Sequence, residues 1–271
     1  MKDIFNFLFH NPFGIVTFII ICFAVLILLS GLFYKQFFKR FYDIVLSLIA
    51  IVVLSPVFLV LIVLGAIKMK GNPFFTQLRP GKINKKTGEE RIFRLIKFRS
   101  MTCERDENGE LFPDDKRLTK YGRLLRSTSL DEIPELFNIL IGDMSIVGPR
   151  PLLVRDMVFM TDEQRKRHCV LPGLTGLAQV NGRNVITWED KLNYDIVYVN
   201  KISFWKDLKI FFQTFLTVLR HDDVVRDGTA SDIDFGDWLL ENGEVDKESY
   251  DNRQIYAKQL LASCAKKEIV K

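Results

Sequence analysis

Arg126-Ser-Thr-Ser-Leu-Asp131-Glu132-Ile-Pro134-Glu-Leu-Phe-Asn-Ile-Leu-Ile-Gly142-Asp-Met-Ser-Ile-Val-Gly-Pro-Arg150-Pro151 is the stretch that decides how this chain is read. Adjacent carboxylates Asp131 and Glu132 follow a Ser/Thr cluster and precede Pro134, which a helix tolerates in its first turn but not deeper. A helix therefore starts here, runs as a buried apolar segment over Ile133 to Ile141 and stops at Gly142. Ser129 as N-cap with Glu132 three residues on fits a capping box, while Pro134 equally allows a start at Asp131. In both cases the carboxylates sit where unpaired backbone N–H groups and the helix dipole favour negative charge, a place that also suits a phosphate or a metal complex.

Around this stretch lie 271 residues, 48% hydrophobic, with 23 phenylalanines and a net charge of +5, which suits one compact domain plus membrane segments. The charge is uneven, because His221 to Asp251 carries eleven acidic residues against two basic ones and leaves the remainder strongly basic. A basic body needs an anionic partner, and the apolar segments favour a membrane surface or a polyphosphate substrate over nucleic acid. The four cysteines, Cys22, Cys103, Cys169 and Cys264, form no CxxC pair, so they read as reduced thiols rather than a zinc site or disulfide framework.

Phe13 to Phe33 is almost uninterrupted apolar sequence, about 20 residues, enough to cross the hydrocarbon core. It reads as an anchor rather than a signal peptide: the preceding residues are weakly basic, the apolar run is long and no small-residue cleavage site follows. Lys35, Lys39 and Arg40 then place this end in the cytoplasm. Phe41 to Ile67 is hydrophobic all round and interrupted by Ser55-Pro56, and charge leaves both a kinked span and a helix bent back to one face open. Phe74 to Arg79 and Arg91 to Met101 predict a β-hairpin with a long loop, with Lys97 and Arg99 on one strand face. Asp115 to Arg126 reads as helical, Met160 to His168 as a polar helix starting at Thr161, and Pro172 to Arg183 as loop. From Phe204 to Leu219 the apolar positions form a continuous helical stripe, suited to the core or to a membrane interface. The acidic tail offers Trp238 and a short helical Arg253 to Lys266 segment without a catalytic pattern.

Asp131-Glu132 alone is equally a helix cap. Arg126 upstream, Arg150 between two prolines, and Lys97 and Arg99 on an earlier strand turn it into a set suited to phosphoryl transfer, where fixed cations and a metal hold charge spread over phosphate oxygens. A structural salt-bridge network would read the same way. No Walker loop, dinucleotide fingerprint, HExxH or GxSxG motif is present. His10, His168 and His221 belong to no such motif, and His168, beside Arg165, Lys166 and Arg167, reads as a surface or loop residue.

From Lys39 to Arg220 the chain resembles the monotopic bacterial phosphoglycosyl transferases, also called bacterial sugar transferases or undecaprenyl-phosphate sugar phosphotransferases. The likeness rests on Lys-Arg-Phe-Tyr-Asp (39 to 43), Ser55-Pro56, Phe-Thr-Gln-x-Arg-Pro-Gly (75 to 81), Lys-Phe-Arg-Ser-Met (97 to 101) and Arg-Ser-Thr-Ser-Leu-Asp-Glu (126 to 132). Gly-Asp-Met-Ser-Ile-Val-Gly-Pro-Arg-Pro (142 to 151), Pro-Gly-Leu-Thr-Gly (172 to 176) and Gln-Val-Asn-Gly-Arg (179 to 183) continue it in order.

The resemblance implies an α+β fold: a mainly helical cytoplasmic domain with a β-hairpin, attached to a re-entrant membrane helix and preceded by one transmembrane helix. The expected organisation is an anchor over 1–38, a transferase domain over 39–220 with its re-entrant helix at about 41–67 and catalytic region at about 70–220, and an acidic appendage over 221–271. In that reading Asp131 is the nucleophile on the β-phosphorus of a UDP-sugar, UMP leaves, and a polyprenyl phosphate accepts the sugar phosphate. Glu132 would bind Mg²⁺, Lys97, Arg126 and Arg150 would hold phosphate oxygens, Arg40 would engage the lipid phosphate, and Ser55 and Pro56 would set the bend. The expected location is the bacterial inner (cytoplasmic) membrane with the site facing the cytoplasm, and the expected partners are the bilayer, the two substrates, and further copies or downstream glycosyltransferases. The anchor is absent from the smallest members, and the tail beyond 221 matches nothing in the pattern. Two rivals stay open: a metal-dependent enzyme on lipid diphosphates without a covalent intermediate, and a membrane scaffold in which Asp131 and Glu132 only cap a helix.

Overall fold

A computed structural model describes residues 11–182, 186–220 and 233–269. His10, Arg183 and His221 lie outside the described residues. Helix α1 (Pro12–Phe33) opens with Pro12 in its first turn and with the Asn11 side chain accepting from Phe13 N at 3.0 Å. The two apolar segments are joined rather than separated. A π-helical turn, Tyr34–Phe38, feeds directly into α2 (Lys39–Lys68), since no Gly or Pro interrupts residues 32 to 55. The stretch Gly31–Lys68 is long and apolar enough to cross a membrane, and Val52, Val53, Leu59 and Ile67 stand exposed along it. Pro56 lacks the N–H that would serve Val52, and the Ser55 hydroxyl donates to that carbonyl at 2.8 Å.

The membrane helix is fixed to the domain by buried polar contacts rather than by apolar packing alone. Asp43 accepts from Ser145 Oγ at 3.0 Å and from Ile146 N at 2.9 Å. Lys39 donates to Val147 O at 2.8 Å and pairs with Asp207 at 2.5 Å, and the Tyr34 and Tyr198 hydroxyls donate to the same aspartate.

The hairpin is β1 (Phe74–Ile83) paired antiparallel with β2 (Glu90–Phe98). Its first strand runs past Pro80-Gly81, where the ladder slips between Pro80 and Ile83, so the connecting loop is shorter than the sequence suggests. Two short helices follow, α3 (Asp114–Arg117) and α4 (Lys120–Ser127), broken where Thr119 caps α4 by accepting from Gly122 N. Next comes α5 (Glu135–Ile141), closed by Gly142 at φ 94°, the left-handed geometry that Gly tolerates. Asn138 of α5 substitutes for a missing third strand: its Oδ1 accepts from Ile96 N at 3.0 Å and its Nδ2 donates to Arg94 O at 2.8 Å. That contact sets the start of α5 against the strand that carries Lys97.

Strand β3 (Ser145–Val147) pairs in parallel with β4 (Gly173–Thr175). Pro172 to Asn181 is therefore not all loop; it supplies β4 and the helical turn α8 (Leu177–Val180), because Gly173 lets two backbones approach more closely than any Cβ would permit. Between the strands lie α6 (Val154–Met157) and α7 (Asp162–Arg165); Thr161 caps α7, and a 3₁₀ turn over Lys166–Cys169 continues it. Helix α9 (Trp188–Asn200) closes the core, in which Phe93, Leu95, Ile139, Met144, Tyr198 and Ile210 meet. On α10 (Phe204–Arg220) the buried side holds Asp207 and Ile210, whereas Trp205, Phe212, Phe215 and Leu216 stand exposed. The stripe thus faces outward, as a helix at a membrane interface does.

The acidic tail is integrated as well. Helices α11 (Phe235–Glu241) and α12 (Lys247–Ile269) pack on α6; Phe235 and Leu239 are buried with Phe159, Trp188 and Leu192, and Ala257 with Val154 and Met157. The second helix is longer than the Arg253 to Lys266 segment expected. Replacing the fully buried Asn138 by Ala removes the partner of both Ile96 N and Arg94 O, so the variant should lose about 2 kcal/mol of stability. A thermal melt of the detergent-solubilised protein checks this, with exposed Ile141→Ala as the unaffected control.

Candidate active site

Asp131 and Glu132 sit in a 3₁₀ turn, Leu130–Glu132, not in the first turn of an α-helix. The expected capping box is absent. Ser129 adopts φ 55°, an uncommon geometry for a non-glycine residue, and makes no side-chain cap bond, while Pro134 delays the α-helix to Glu135. The Glu132 carboxylate is drawn elsewhere: its Oε1 lies 2.8 Å from Lys97 Nζ and 2.5 Å from Arg150 Nη2.

Lys97 has a second partner that the motif reading missed. Glu135, one turn on from Glu132 and 1% exposed, places Oε1 3.0 Å from Lys97 Nζ. The i, i+3 spacing of the two glutamates was the available signal.

These charges divide into unlike states. Burial would raise the Glu132 pKa, but Arg150 and Lys97 hold it well below the usual carboxylate range. Burial pushes Glu135 up to about 7, with Lys97 opposing and Glu132 adding to the rise. Burial and then Glu132 raise Asp131, against the pull of Lys97, Arg150 and Arg126. Burial disfavours charge on Lys97, yet Glu132 and Glu135 outweigh it and its pKa rises; Glu132 does the same for Arg150. The result is one firmly ionised carboxylate beside another whose charge is poorly compensated.

Arg150 is held from behind. Arg167, 2% exposed, donates to the Arg150 carbonyl at 2.6 Å and to Asp195 at 2.7 Å. Nothing in the sequence points to this pairing across 28 positions. His168 is buried rather than exposed: it lies 3.0 Å from Glu90, and burial lowers its pKa to about 4 despite that partner.

Asp131, Glu132, Lys97, Arg99, Arg126 and Arg150 line one cavity of about 550 Å³, to which the structure adds Arg79, Asp156, Gln179 and Trp188. Arg126 is set there by a 3.1 Å bond from its Nε to Ser100 Oγ. Arg40 is placed differently, donating to the Ile139 and Leu140 carbonyls at 2.6 and 2.8 Å and so closing the end of α5. Ser55 and Pro56 lie within α2. For a divalent cation, no group of three or more His, Cys, Asp or Glu side chains forms a candidate site among the described residues. One or two carboxylates completed by substrate phosphates is nevertheless the way Mg²⁺ is usually held, and among the described residues both cations bonded to Glu132 sit on Oε1, so Oε2 would be the atom to meet such a cation.

Residues 34–221 match the bacterial sugar transferase family. An uncharacterised sugar transferase of Bacillus subtilis, EpsL, is 46% identical over 181 residues, covering 67% of this chain and 87% of the relative. A UDP-glucose:undecaprenyl-phosphate glucose-1-phosphate transferase of Klebsiella pneumoniae is 40% identical over 187 residues, covering 65% of this chain and 39% of the relative. An Aeromonas hydrophila UDP-N-acetylgalactosamine-undecaprenyl-phosphate N-acetylgalactosaminephosphotransferase is 37% identical over 194 residues, covering 68% and 44%. The chain thus spans less than half the length of these two larger relatives, while their shared region includes the cavity's charged centre. With most of its length matched and nearly all of the Bacillus relative covered, the chain belongs to the bacterial sugar transferase family.

Proposed function

We propose that this protein transfers a sugar 1-phosphate from a UDP-sugar to undecaprenyl phosphate at a membrane, releasing UMP, through a covalent intermediate on Asp131. One observation carries the reading: a half-buried carboxylate, Asp131, stands next to a carboxylate already neutralised by Lys97 and Arg150. A charge clamp of that kind suits phosphate oxygens, and an under-compensated carboxylate suits attack on phosphorus. The names of the relatives supply the substrate class.

In the first step an Asp131 oxygen bonds to the β-phosphorus while the bond from that phosphorus to the bridging oxygen of UMP breaks. In the second an oxygen of the polyprenyl phosphate bonds to the same phosphorus and the Asp131 carboxylate is released. Lys97, Arg126 and Arg150 hold the phosphoryl oxygens through both steps. Glu132 would hold Mg²⁺, which neutralises charge on the diphosphate when bound. The outward apolar faces of α2 and α10 would keep this site beside the headgroups, in the cytoplasmic membrane with its opening on the cytoplasmic side. A re-entrant α2 is the topology that keeps both of its ends on that side.

Purified full-length protein given UDP-sugars, Mg²⁺ and a short polyprenyl phosphate should release UMP, and Asp131→Asn should slow release about a thousandfold or more. With donor labelled at the β-phosphate and no acceptor, label should remain on the wild-type protein and not on Asp131→Asn. Turnover that survives in Asp131→Asn removes the covalent step, and UMP release from no donor removes the whole reading.

The Glu135 shift has its own consequence. Its pKa is near 7 in the folded chain and about 4.3 unfolded, so its stabilising contribution is full below about pH 4 and is lost as the pH rises through 7. Glu135→Gln keeps the neutral shape. Its melting temperature relative to wild type should therefore improve between about pH 4 and pH 7 and level off above the folded pKa.

A further inference from the structure

The cavity that holds Asp131 is walled in part by residues from beyond the family match, which ends at residue 221. Ile233 and Asp234 line it with Asp156, Trp188, Lys191 and Asp195. The charges that weigh most on Asp131 are Glu132, Lys97, Arg150 and Arg126, whereas those that weigh most on Asp234 are Arg155, Asp237, Arg79 and Asp114. Arg79 stands between the two groups, influenced by Arg150 on one side and by Asp156 and Asp234 on the other, and its buried Nε has no hydrogen-bond partner among the described residues.

We propose, resting on the nucleotide-sugar reading above, that Ile233 and Asp234 form the donor-selecting wall of this cavity and fix which sugar is accepted. The wall is pinned rather than hinged. Trp188 Nε1 donates to Ile233 O at 3.1 Å, Arg155 Nη1 pairs with Asp234 Oδ2 at 2.9 Å, and Phe235 N donates to Asp156 Oδ1 at 3.0 Å. Phe235 then packs on the Trp188 ring with centroids 5.2 Å apart. Asp234 precedes α11 yet its side chain does not cap that helix, so its carboxylate is turned to Arg155 and the cavity instead.

The chemistry of the wall says which part of the donor it meets. Asp195 is paired with Arg167 and both Asp156 oxygens accept from backbone N–H groups, so Asp234 is the carboxylate this wall turns to the cavity, where it repels phosphate and leaves the diphosphate to Lys97, Arg126 and Arg150. The carbonyl oxygens of a uracil ring meet the same repulsion. Sugar hydroxyls and acetamido N–H groups donate to carboxylates, and Ile233 offers the apolar contact that a pyranose face takes. A hydrogen bond to one hydroxyl discriminates epimers far better than shape alone, because the wrong epimer leaves a buried acceptor unpaired.

The test uses the full-length protein in detergent or nanodiscs and compares kcat/KM across UDP-glucose, UDP-galactose, UDP-N-acetylglucosamine and UDP-N-acetylgalactosamine. Asp234→Ala should change the ratio between the best donor and its epimer by about tenfold or more, with inhibition by UMP nearly unaltered. Asp234→Asn and Ile233→Ala, whose melting temperatures report on folding, should change the ratio in the same direction, and Ile255→Ala on the exposed side of α12 should not. Equal loss on every donor, or unchanged ratios, overturns the proposal. If the wild type releases UMP from no donor, the transfer reading fails and the wall is judged by binding: Asp234→Ala must weaken a UDP-sugar more than UDP, and equal weakening overturns it.

Discussion

The Glu132 carboxylate held between Lys97 and Arg150 is the constraint on which the rest of the structure depends. Buried ion clusters of this kind contribute little net stability, because desolvation cancels most of the Coulomb attraction. Removing Lys97 or Glu132 is nonetheless costly, since the other is mostly buried and is left with its charge less compensated. The cluster is also unbalanced. Three carboxylates, Asp131, Glu132 and Glu135, face Lys97, Arg150 and Arg126, and the compensation falls mainly on Glu132, which leaves the other two with raised pKa values. Apolar side chains there would avoid that desolvation, and under the proposed transfer the arrangement serves the chemistry instead.

Holding such a cluster requires rigid supports, and each is a polar side chain that satisfies backbone. Asn138 binds the open edge of β2 and sets Lys97 against the start of α5. Arg167, fixed by Asp195, holds the Arg150 carbonyl, while Pro149 and Pro151 limit the backbone on either side. Asp43 and Asp207 connect the membrane helix to β3 and α10. These contacts span long sequence separations, so the site forms only when the membrane helix, hairpin and α-helical layers have all docked.

What the sequence revealed and what it concealed follow the range of the forces involved. Gly142 as a helix stop and Thr161 as a helix start are local effects, and each stands where the sequence predicts. Ser129 and Glu132 failed as a capping box because cations from β2 and from the segment after β3 outweigh a single cap bond. His168 looked exposed among basic neighbours, but Glu90, 78 positions away, takes it inside. Pro172 to Arg183 looked like loop because a three-residue parallel strand within it has no periodicity to display. The acidic tail looked detached because its charge concealed the few apolar residues, Phe235, Leu239 and Ala257, that fill the domain core.

The cavity's uneven charge bears on the order in which two unlike substrates could use one nucleophile. Its basic side, with Arg99 and Arg126, lies by the hairpin and α4, whose Tyr121 hydroxyl donates to Leu61 O of the membrane helix at 3.0 Å. Its acidic side, with Asp156 and Asp234, lies by the C-terminal helices. Under the proposed two-step route, a lipid phosphate rising from the bilayer meets cations first, and the glycosyl part of a soluble donor meets carboxylates. Asp131 lies within reach of the same cations that hold the transferred phosphoryl group. The sugar phosphate then need not move between half-reactions; only the UMP and the acceptor exchange places on the basic side, which is why one fixed carboxylate can serve both.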